Sequence, residues 1–451
     1  MDRILIANRG EIACRIIRTV QQLGKTALAV YSEADANAPH RQLADVSFPI
    51  GPAAPQQSYL NMDALLEAAI AGGAEAIHPG YGFLAENVIF ARRCEDAGVI
   101  FIGPSPTTIA AMGDKAMARH IAQQAGAPVI PGSGVEPLDL EQARQIATDI
   151  GYPVLLKAVG GGGGIGMQVV VDPEALERAF ITVRNRAQAA FANAALYIEK
   201  YIRNPRHIEI QVLGDTHGNL LHLYERECSI QRRHQKIIEE APSPLLGDPA
   251  HHQLRARMTQ AALRIAAAVQ YISAGTVEFL VDQSQDFYFI EMNARLQVEH
   301  PVTEMITGID LVAEQIRIAA GVPLALRQED IEVRGAAIEC RIYAENPAKN
   351  FLPSPGQLQA FQMPAGAGIR VDSGVVAGDK ITPYYDPMLA KIIAHGDTRC
   401  AAVARMRQAL AESVVEGVAN NISLHQRIMR NADFLKGSVN TDFLFSKLEP
   451  Q

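Results

Sequence analysis

A chain of 451 residues has room for roughly two to four domains with ample core. Charged residues make up 20% and hydrophobic ones 48%, the balance of an ordinary soluble protein, and the net charge of −8 argues against a general nucleic-acid binder. No apolar run approaches the roughly 20 residues that span a bilayer, the start MDRILIANRGEI lacks a signal-peptide layout, and five scattered cysteines (Cys14, Cys94, Cys228, Cys340, Cys400) without CxxC spacing fit a reducing cytoplasm with neither disulfides nor a zinc site.

Arg3 to Ala7 reads as a strand, Asn8 to Gly10 as a turn, and Ile12, Ile16, Ile17, Val20 and Leu23 as the buried stripe of a helix leading to a strand from Thr26 to Tyr31. A helix from Asn61 to Ala71 and a strand near Glu75 to Ile77 extend this βαβ start into a doubly wound, Rossmann-like unit reaching about Gly113. No GxGxxG follows the first strand, so a dinucleotide is not expected there. The loop His78 to Leu84 follows a strand end, where ligands of α/β folds collect; it reads equally well as a tight turn with packed aromatics.

Helix Lys115 to Ala125 precedes a break at Pro128 to Gly134. Apolar residues from Tyr152 and a strand from Gln168 to Val171 then flank a run of five glycines, Gly160 to Gly164, with Gly166 just beyond. Such a hairpin has a tip without side chains, able to present backbone N–H groups to polyphosphate oxygens. It is not a Walker A loop, because Met167 and Gln168 stand where Lys and Ser or Thr belong. The alternative, a flexible linker, fits poorly with strands on both sides. Lys157, in the apolar strand leading into the loop, would be costly to bury unpaired and calls for an anionic ligand.

A helix from Pro173 to Asn193 and a strand from Ala195 to Ile202 follow, then Arg206 to Leu213 alternates as a strand with His207, Glu209 and Gln211 on one face. Arg226 to Lys236 concentrates basic residues and reads either as a solvated loop or as an anion site; Cys228 beside it reads as a buried structural thiol. Gly275 to His300 is a hairpin. With its turn centred on Ser284 and Gln285, Glu278 stands directly opposite Glu291, a like-charged pair that needs a shared proton or cations between its members. Glu278, Glu291 and Asn293 are the oxygen donors that Mg²⁺ or Mn²⁺ prefer; the alternative is an exposed edge where both glutamates pair with Lys or Arg. Asn293 and Arg295 follow Glu291 at steps of two and can share its face. Asp310 to Ala320 is an amphipathic helix ended by Gly321. A third region begins near Ile331 with a strand from Ala336 to Tyr343, a rigid turn at Phe351 to Gly356, short strands, and a helix from Thr398 to Ser413. The chain has no internal repeats.

Taken together, GYGFLAEN, LLKAVGGGGGIGM, NPRHIEIQV, ERECSIQRRHQK, FIEMNARLQVEHPVTEMITGIDL, ECRIYAENP, FLPSPG and YYDPML resemble biotin carboxylase, an ATP-grasp family, in order from about residue 3 to 445. The resemblance implies an α/β fold, α+β in part: a Rossmann-like N-terminal domain (1–113), an ATP-grasp domain (114–330) whose glycine-rich lid spans about 131–203, and a β-rich C-terminal domain (331–451). It also implies that ATP meets Lys115, Lys157, Gly161, Gly162, Gly163, Gly164, Gly166, Glu199, Lys200, Ile202, His207, Gln231, His234, Glu278, Leu280 and Glu291. Glu278, Glu291 and Asn293 would hold two Mg²⁺ or Mn²⁺; Lys236, Arg295, Gln297, Val298 and Glu299 would surround bicarbonate; Tyr81, Gly82, Gln235 and Arg341 would meet biotin. Of these, Glu299, Arg295, Lys236 and Arg341 carry the chemistry: Glu299 deprotonates bicarbonate as ATP phosphorylates it, and Arg341 stabilises the biotin enolate-like oxygen.

Family loops commonly carry Ser before the glycine run and Arg or Lys near its end; Val159 and Ile165 stand there instead, removing a cation near the phosphates. No Ala-Met-Lys-Met biotinylation motif is present, so biotin is expected on a separate carrier protein. The reading is a biotin carboxylase subunit of acetyl-CoA carboxylase: a cytoplasmic homodimer working with biotin carboxyl carrier protein and carboxyltransferase subunits, without nucleic acid or membrane. The alternatives are an ATP-grasp ligase with another acceptor, which has no reason to keep Lys236, Gln297, Glu299 and Arg341 together, and a degenerate paralogue without useful turnover.

Overall fold

The computed structural model describes residues 1–134, 138–159, 166–191, 193–233 and 235–447. Five parallel strands open the chain, in the spatial order Val46–Pro49, Thr26–Tyr31, Arg3–Ile6, Ala76–His78, Ile100–Phe101. The first strand lies in the middle of the sheet and its Ile4, Leu5 and Ile6 have no exposed surface, as a parallel sheet covered on both faces requires. Helix Gly10–Gln22 buries Ile12, Ile16, Ile17 and Val20, the stripe read from the sequence. The strands Val46–Pro49 and Ile100–Phe101 escape that reading: each is a short edge strand with too few residues to show a period.

An antiparallel sheet of eight strands joins the central and C-terminal regions. Its order is Phe287–Asn293, Ser273–Val281, Arg206–Gly214, Leu220–Arg232, Gln235–Ala241, Ala336–Tyr343, Met388–Gly396, Ile369–Ser373. The last three strands come from beyond residue 330, so the sheet runs unbroken from the central region into the C-terminal one. A separate sheet of three strands, Met167–Val170, Val154–Ala158 and Leu196–Lys200, packs on helices Leu140–Ile150 and Pro173–Phe191 around its own small core of Leu156, Val183 and Ile198. The expected glycine hairpin is therefore present as an antiparallel pair, but its tip, with Gly161, Gly162, Gly163, Gly164 and Ile165, lies outside the described residues, as does His234.

Two sequence expectations change. Of the two readings of the basic stretch, the solvated loop fails: its residues 226–232 and 235–236 lie in strands Leu220–Arg232 and Gln235–Ala241, and Arg226 is fully buried. The alternation there is hidden because one face of the sheet is lined by polar groups instead of apolar ones. The hairpin turn is centred one half-step earlier than Ser284 and Gln285, since Val281 pairs with Phe287 and Phe279 with Phe289. A bulge between Glu278 and Phe279 inserts Ile290 as an extra residue, and this shift alone brings Glu278 back opposite Glu291.

Gly275, in the strand that carries Glu278, shows why a small residue stands there. A Cβ added to it would lie 2.3 Å from the Tyr271 hydroxyl oxygen, which donates to Ala274 O at 3.0 Å. Tyr271 is buried and cannot swing aside, so Gly275→Ala should lose about 1–3 kcal/mol by overpacking, read as a lower urea midpoint; an unchanged midpoint would show that the ring yields.

Candidate active site

The polar face of the eight-stranded sheet is built from register. Glu209 lies beside Arg226 on one neighbouring strand and beside Glu278 on the other, and Glu278 lies beside Glu291. Three carboxylates thus line up across adjacent strands, with an arginine at one end of the row. Glu209 and Glu278 are buried. Such a row cannot persist in a dry interior without cations.

Lys236 supplies one. Its ammonium has three N–H donors, and it meets Glu209 Oε2 at 2.5 Å, Glu278 Oε1 at 2.8 Å and Glu299 Oε1 at 2.8 Å. Burial would lower the Lys236 pKa, yet Glu209, Glu278 and Glu299 together hold it well above the ordinary lysine value. Glu278 receives further hydrogen bonds from Asn293 Nδ2 at 3.0 Å and Gln297 Nε2 at 2.8 Å, and His207 Nε2 sits 2.7 Å from its other oxygen. Against burial, Lys236 and His207 hold the Glu278 carboxyl well below the usual range. Glu291 moves the other way, raised by burial and then by Glu278, with Lys236 and Lys115 pulling against the rise.

Glu299 precedes helix His300–Thr307 and has no exposed surface. It joins Lys236 on one oxygen to Arg341 Nη2 at 2.9 Å on the other. Burial would raise it, but Lys236, Arg341 and Arg226 hold it far below the ordinary carboxylate value, so it is ionised at neutral pH. Arg295 donates from Nε to Glu86 Oε2 at 2.7 Å and from Nη2 to Asn293 Oδ1 at 2.7 Å. The Val298 carbonyl accepts from the fully buried Lys391 at 2.7 Å.

These groups open onto a cavity of about 850 Å³ between the large sheet and the three-stranded one. Lys236, Arg295, Gln297, Val298, Glu299, Gln235 and Arg341 line one part of it. Glu278, Glu291, Asn293, Lys157, Glu199, Lys200, Ile202, His207, Gln231 and Leu280 line the same cavity. Lys157 is not left for an anion alone: it donates to Glu199 Oε2 at 2.8 Å, and Lys200 donates to the Gly151 carbonyl at 2.8 Å. Lys115, Gly166, Tyr81 and Gly82 are not among the lining residues; the Tyr81 hydroxyl donates to Glu11, which also meets Lys391 at 3.2 Å. Cys228 is buried, its thiol pushed well up by burial and then by Glu209, so it is no nucleophile.

The sequence reading omitted Glu209, Arg226 and Glu86 from the site. Glu209 could have been found, since it alternates with His207 on one strand face. Glu86 could not, because only folding brings it to Arg295.

A sheet bearing buried carboxylates and a lysine, facing a second, smaller sheet that ends in a glycine hairpin, is the arrangement of an ATP-grasp enzyme. Similarity to known proteins narrows the class. Residues 1–109 match the family described as biotin carboxylase, N-terminal domain; residues 114–327 match the ATP-binding domain of the carbamoyl-phosphate synthase L chain; residues 339–446 match the biotin carboxylase C-terminal domain. Biotin carboxylase 1 of Bacillus subtilis is 52% identical over 445 residues, which is 98% of each chain. Biotin carboxylase of Haemophilus influenzae is 51% identical over 449 residues, which is 99% of each chain. The biotin carboxylase domain dimer of Hydrogenobacter thermophilus 2-oxoglutarate carboxylase, solved with MgADP, ADP and bicarbonate, aligns with a TM-score of 0.92 at 49% identity over 98% of this chain and 97% of that one. The chain belongs to the biotin carboxylase family and is an enzyme of ATP-dependent biotin carboxylation. Among the described residues, no helix is long and apolar enough to cross a membrane.

Proposed function

We propose that this chain is the biotin carboxylase subunit of an acetyl-CoA carboxylase, carboxylating biotin on a carrier protein with bicarbonate and ATP. The observation that carries the biotin-carboxylating part of this reading is the joined set Lys236, Glu299 and Arg341, one carboxylate between two cations, lining a cavity that Glu278 and Glu291 also line. Lys236, Arg295, Gln297, Val298 and Glu299 bind bicarbonate in this reading, and Glu299 takes its proton. Lys115, Lys157, Glu199, Lys200, Ile202, His207, Gln231, His234 and Leu280 hold ATP, with the glycine hairpin excluding water. Phosphorylated bicarbonate, carboxyphosphate, formed as ADP leaves, then yields CO₂ and phosphate; the phosphate takes the ureido proton of biotin while Arg341 stabilises the oxygen left anionic, and the freed nitrogen attacks CO₂ to give carboxybiotin. Tyr81, Gly82 and Gln235 orient biotin.

The residues present fit a divalent cation: Glu278 and Glu291 face each other in buried strands, and Glu291 is raised by burial and its neighbour as an anion short of positive charge is. Glu278, Glu291 and Asn293 would hold Mg²⁺ or Mn²⁺, which would offset the charge of the phosphates. Glu291→Gln should raise the Mg²⁺ concentration for half-maximal turnover by roughly tenfold or more while changing ADP affinity much less, because an amide brings no charge to a dication. Unchanged Mg²⁺ dependence would remove Glu291 from the metal set.

In this reading the domains are 1–113, 114–330 with a lid over about 131–203, and 331–451, and the enzyme works as a homodimer in the cytoplasm beside a carrier and carboxyltransferase subunits. Relatives are named for pyruvate, propionyl-CoA and 2-oxoglutarate carboxylases, and in this reading a partner transferase selects the acceptor. Phosphate release from ATP and bicarbonate, with and without free biotin, tests the half-reaction. Reconstitution with carrier and transferase, offering acetyl-CoA, propionyl-CoA and pyruvate, tests the acceptor; carboxylation of either of the others in preference to acetyl-CoA would refute the acetyl-CoA assignment.

A further inference from the structure

Behind Arg341 lies a pair of carboxyls that the mechanism above does not use. Glu239 and Glu339 are directly opposed in the register of strands Gln235–Ala241 and Ala336–Tyr343, and both have no exposed surface. Opposed residues of an antiparallel pair lie about 4.5–5.5 Å apart at Cβ, too close for two anions in a dry interior. Among the described residues neither the oxygens of Glu339 nor those of Glu239 have a hydrogen-bond partner, so the contact of Glu239 with Arg341 is that of an ion pair. Glu239 Oε1 lies 2.6 Å from Arg341 Nη2, the same nitrogen that meets Glu299 at 2.9 Å. The Arg341 backbone is braced as well, its carbonyl accepting from His425 Nε2 at 2.8 Å and Asn421 Nδ2 at 2.9 Å.

Buried polar atoms without partners are rare and ask for a reason. We infer that Glu239, sharing one proton with Glu339, is a positioning residue that holds the Arg341 guanidinium between itself and Glu299, and so aims it at the oxygen of biotin. The shared proton limits the pair to a single negative charge, which Glu239 presents to Arg341 opposite Glu299. The inference rests on the reading of Arg341 as the residue that meets biotin.

The groups that bear on the pair are Lys236 on Glu239's own strand, Arg341, Cys340 and Tyr343 on the neighbouring one, Glu299 from the start of its helix, Cys228 on Leu220–Arg232, and Lys391 on Met388–Gly396. Burial, only partly opposed by Arg341, pushes the Glu239 carboxyl up to about 7, and burial raises Glu339 well above the usual range despite Lys391. Glu239 is protonated below that pH and becomes an anionic tether above it. Biotin-dependent kcat/KM should therefore rise with pH through about 7.

The test measures kcat/KM for free biotin at saturating ATP and bicarbonate from pH 6 to 8.5, with ADP affinity by calorimetry and urea midpoints alongside. Glu239→Gln should lower kcat/KM for biotin at least about tenfold and abolish the rise near pH 7, with ADP affinity unchanged; a merely structural defect would move ADP affinity and the urea midpoint together. A folded Glu239→Gln with wild-type kcat/KM and pH profile overturns the inference. If that variant does not fold, Glu339→Gln decides: its amide can donate to Glu239, so the inflection should move lower by at least about one pH unit, and an unmoved inflection overturns the inference. Arg341→Lys separates the two readings. Wild-type biotin turnover in that variant fails the Arg341 assignment itself, whereas a loss there with normal Glu239→Gln fails the positioning role alone.

Discussion

Glu299→Gln should suppress biotin-dependent ATP cleavage by roughly 10²–10⁴-fold, the usual contribution of a positioned general base, and should suppress transfer of ¹⁸O from labelled bicarbonate to phosphate equally. The expectation follows from geometry: Glu299 is buried, ionised, and fixed by Lys236 on one oxygen and Arg341 on the other. If bicarbonate is the phosphoryl acceptor, one of its oxygens must leave in phosphate. Labelled phosphate in the wild type with none in the variant is the full expected pattern. Because the substitution also leaves Lys236 and Arg341 with one carboxylate fewer, the variant must first show an intact urea transition and ADP binding. Biotin-dependent phosphate release without label in the wild type would rule out carboxyphosphate. Substantial label from the variant would keep the intermediate and remove Glu299 as the base.

The largest effect on stability is expected at Arg226. Its side chain is fully buried and donates to Glu209 Oε1 at 2.5 Å, Gln211 Oε1 at 2.6 Å, Thr303 Oγ1 at 3.0 Å and Thr276 Oγ1 at 3.0 Å. It ties three strands of the large sheet to the helix that Glu299 precedes. Arg226→Leu removes the charge that balances Glu209 and leaves three polar partners unsatisfied, so a loss of about 3–5 kcal/mol is expected in urea denaturation. Glu209 is already raised by burial against the pull of Arg226. In the variant it rises further above its unfolded value, so the folded state holds more protons than the unfolded one. Stability then falls as pH rises through that interval, and the loss should be smaller at pH 5 than at pH 8. Replacing Glu209 as well should cost less than the sum of the two single changes, since no buried charge is left alone. A single-variant loss under about 1 kcal/mol would show that Arg226 is not what balances the carboxylate row.

Much of the site was legible because its chemistry is concentrated in short runs. Periodicity placed the strand Thr26–Tyr31 and the strand Ala336–Tyr343 to the residue, and alternation put His207, Glu209 and Gln211 on one face. The resemblance then named Lys236, Glu299 and Arg341, which the fold brings into contact. The Glu278–Glu291 pairing was reached as well, although the turn was misplaced. One bulged residue, invisible to a period-two argument, offsets the half-step error in the turn.

By itself, the sequence determined the strands and helices whose side chains repeat on one face, and the residue types that phosphate, metal and bicarbonate chemistry demand. Only the tertiary structure decided which of those residues meet. Lys236 is shared among Glu209, Glu278 and Glu299 because three separate strands and a helix start converge on one ammonium, with sequence separations of 27, 42 and 63 residues. The continuation of the central sheet into the C-terminal strands, which puts Arg341 beside Glu239 and Glu299, was likewise settled only by strand order. Local patterns fix where a side chain points along its own strand; they hold no information about which distant strand lies next to it, and at a site built from opposed charges that neighbour decides, against burial, how Lys236, Glu278 and Glu299 ionise.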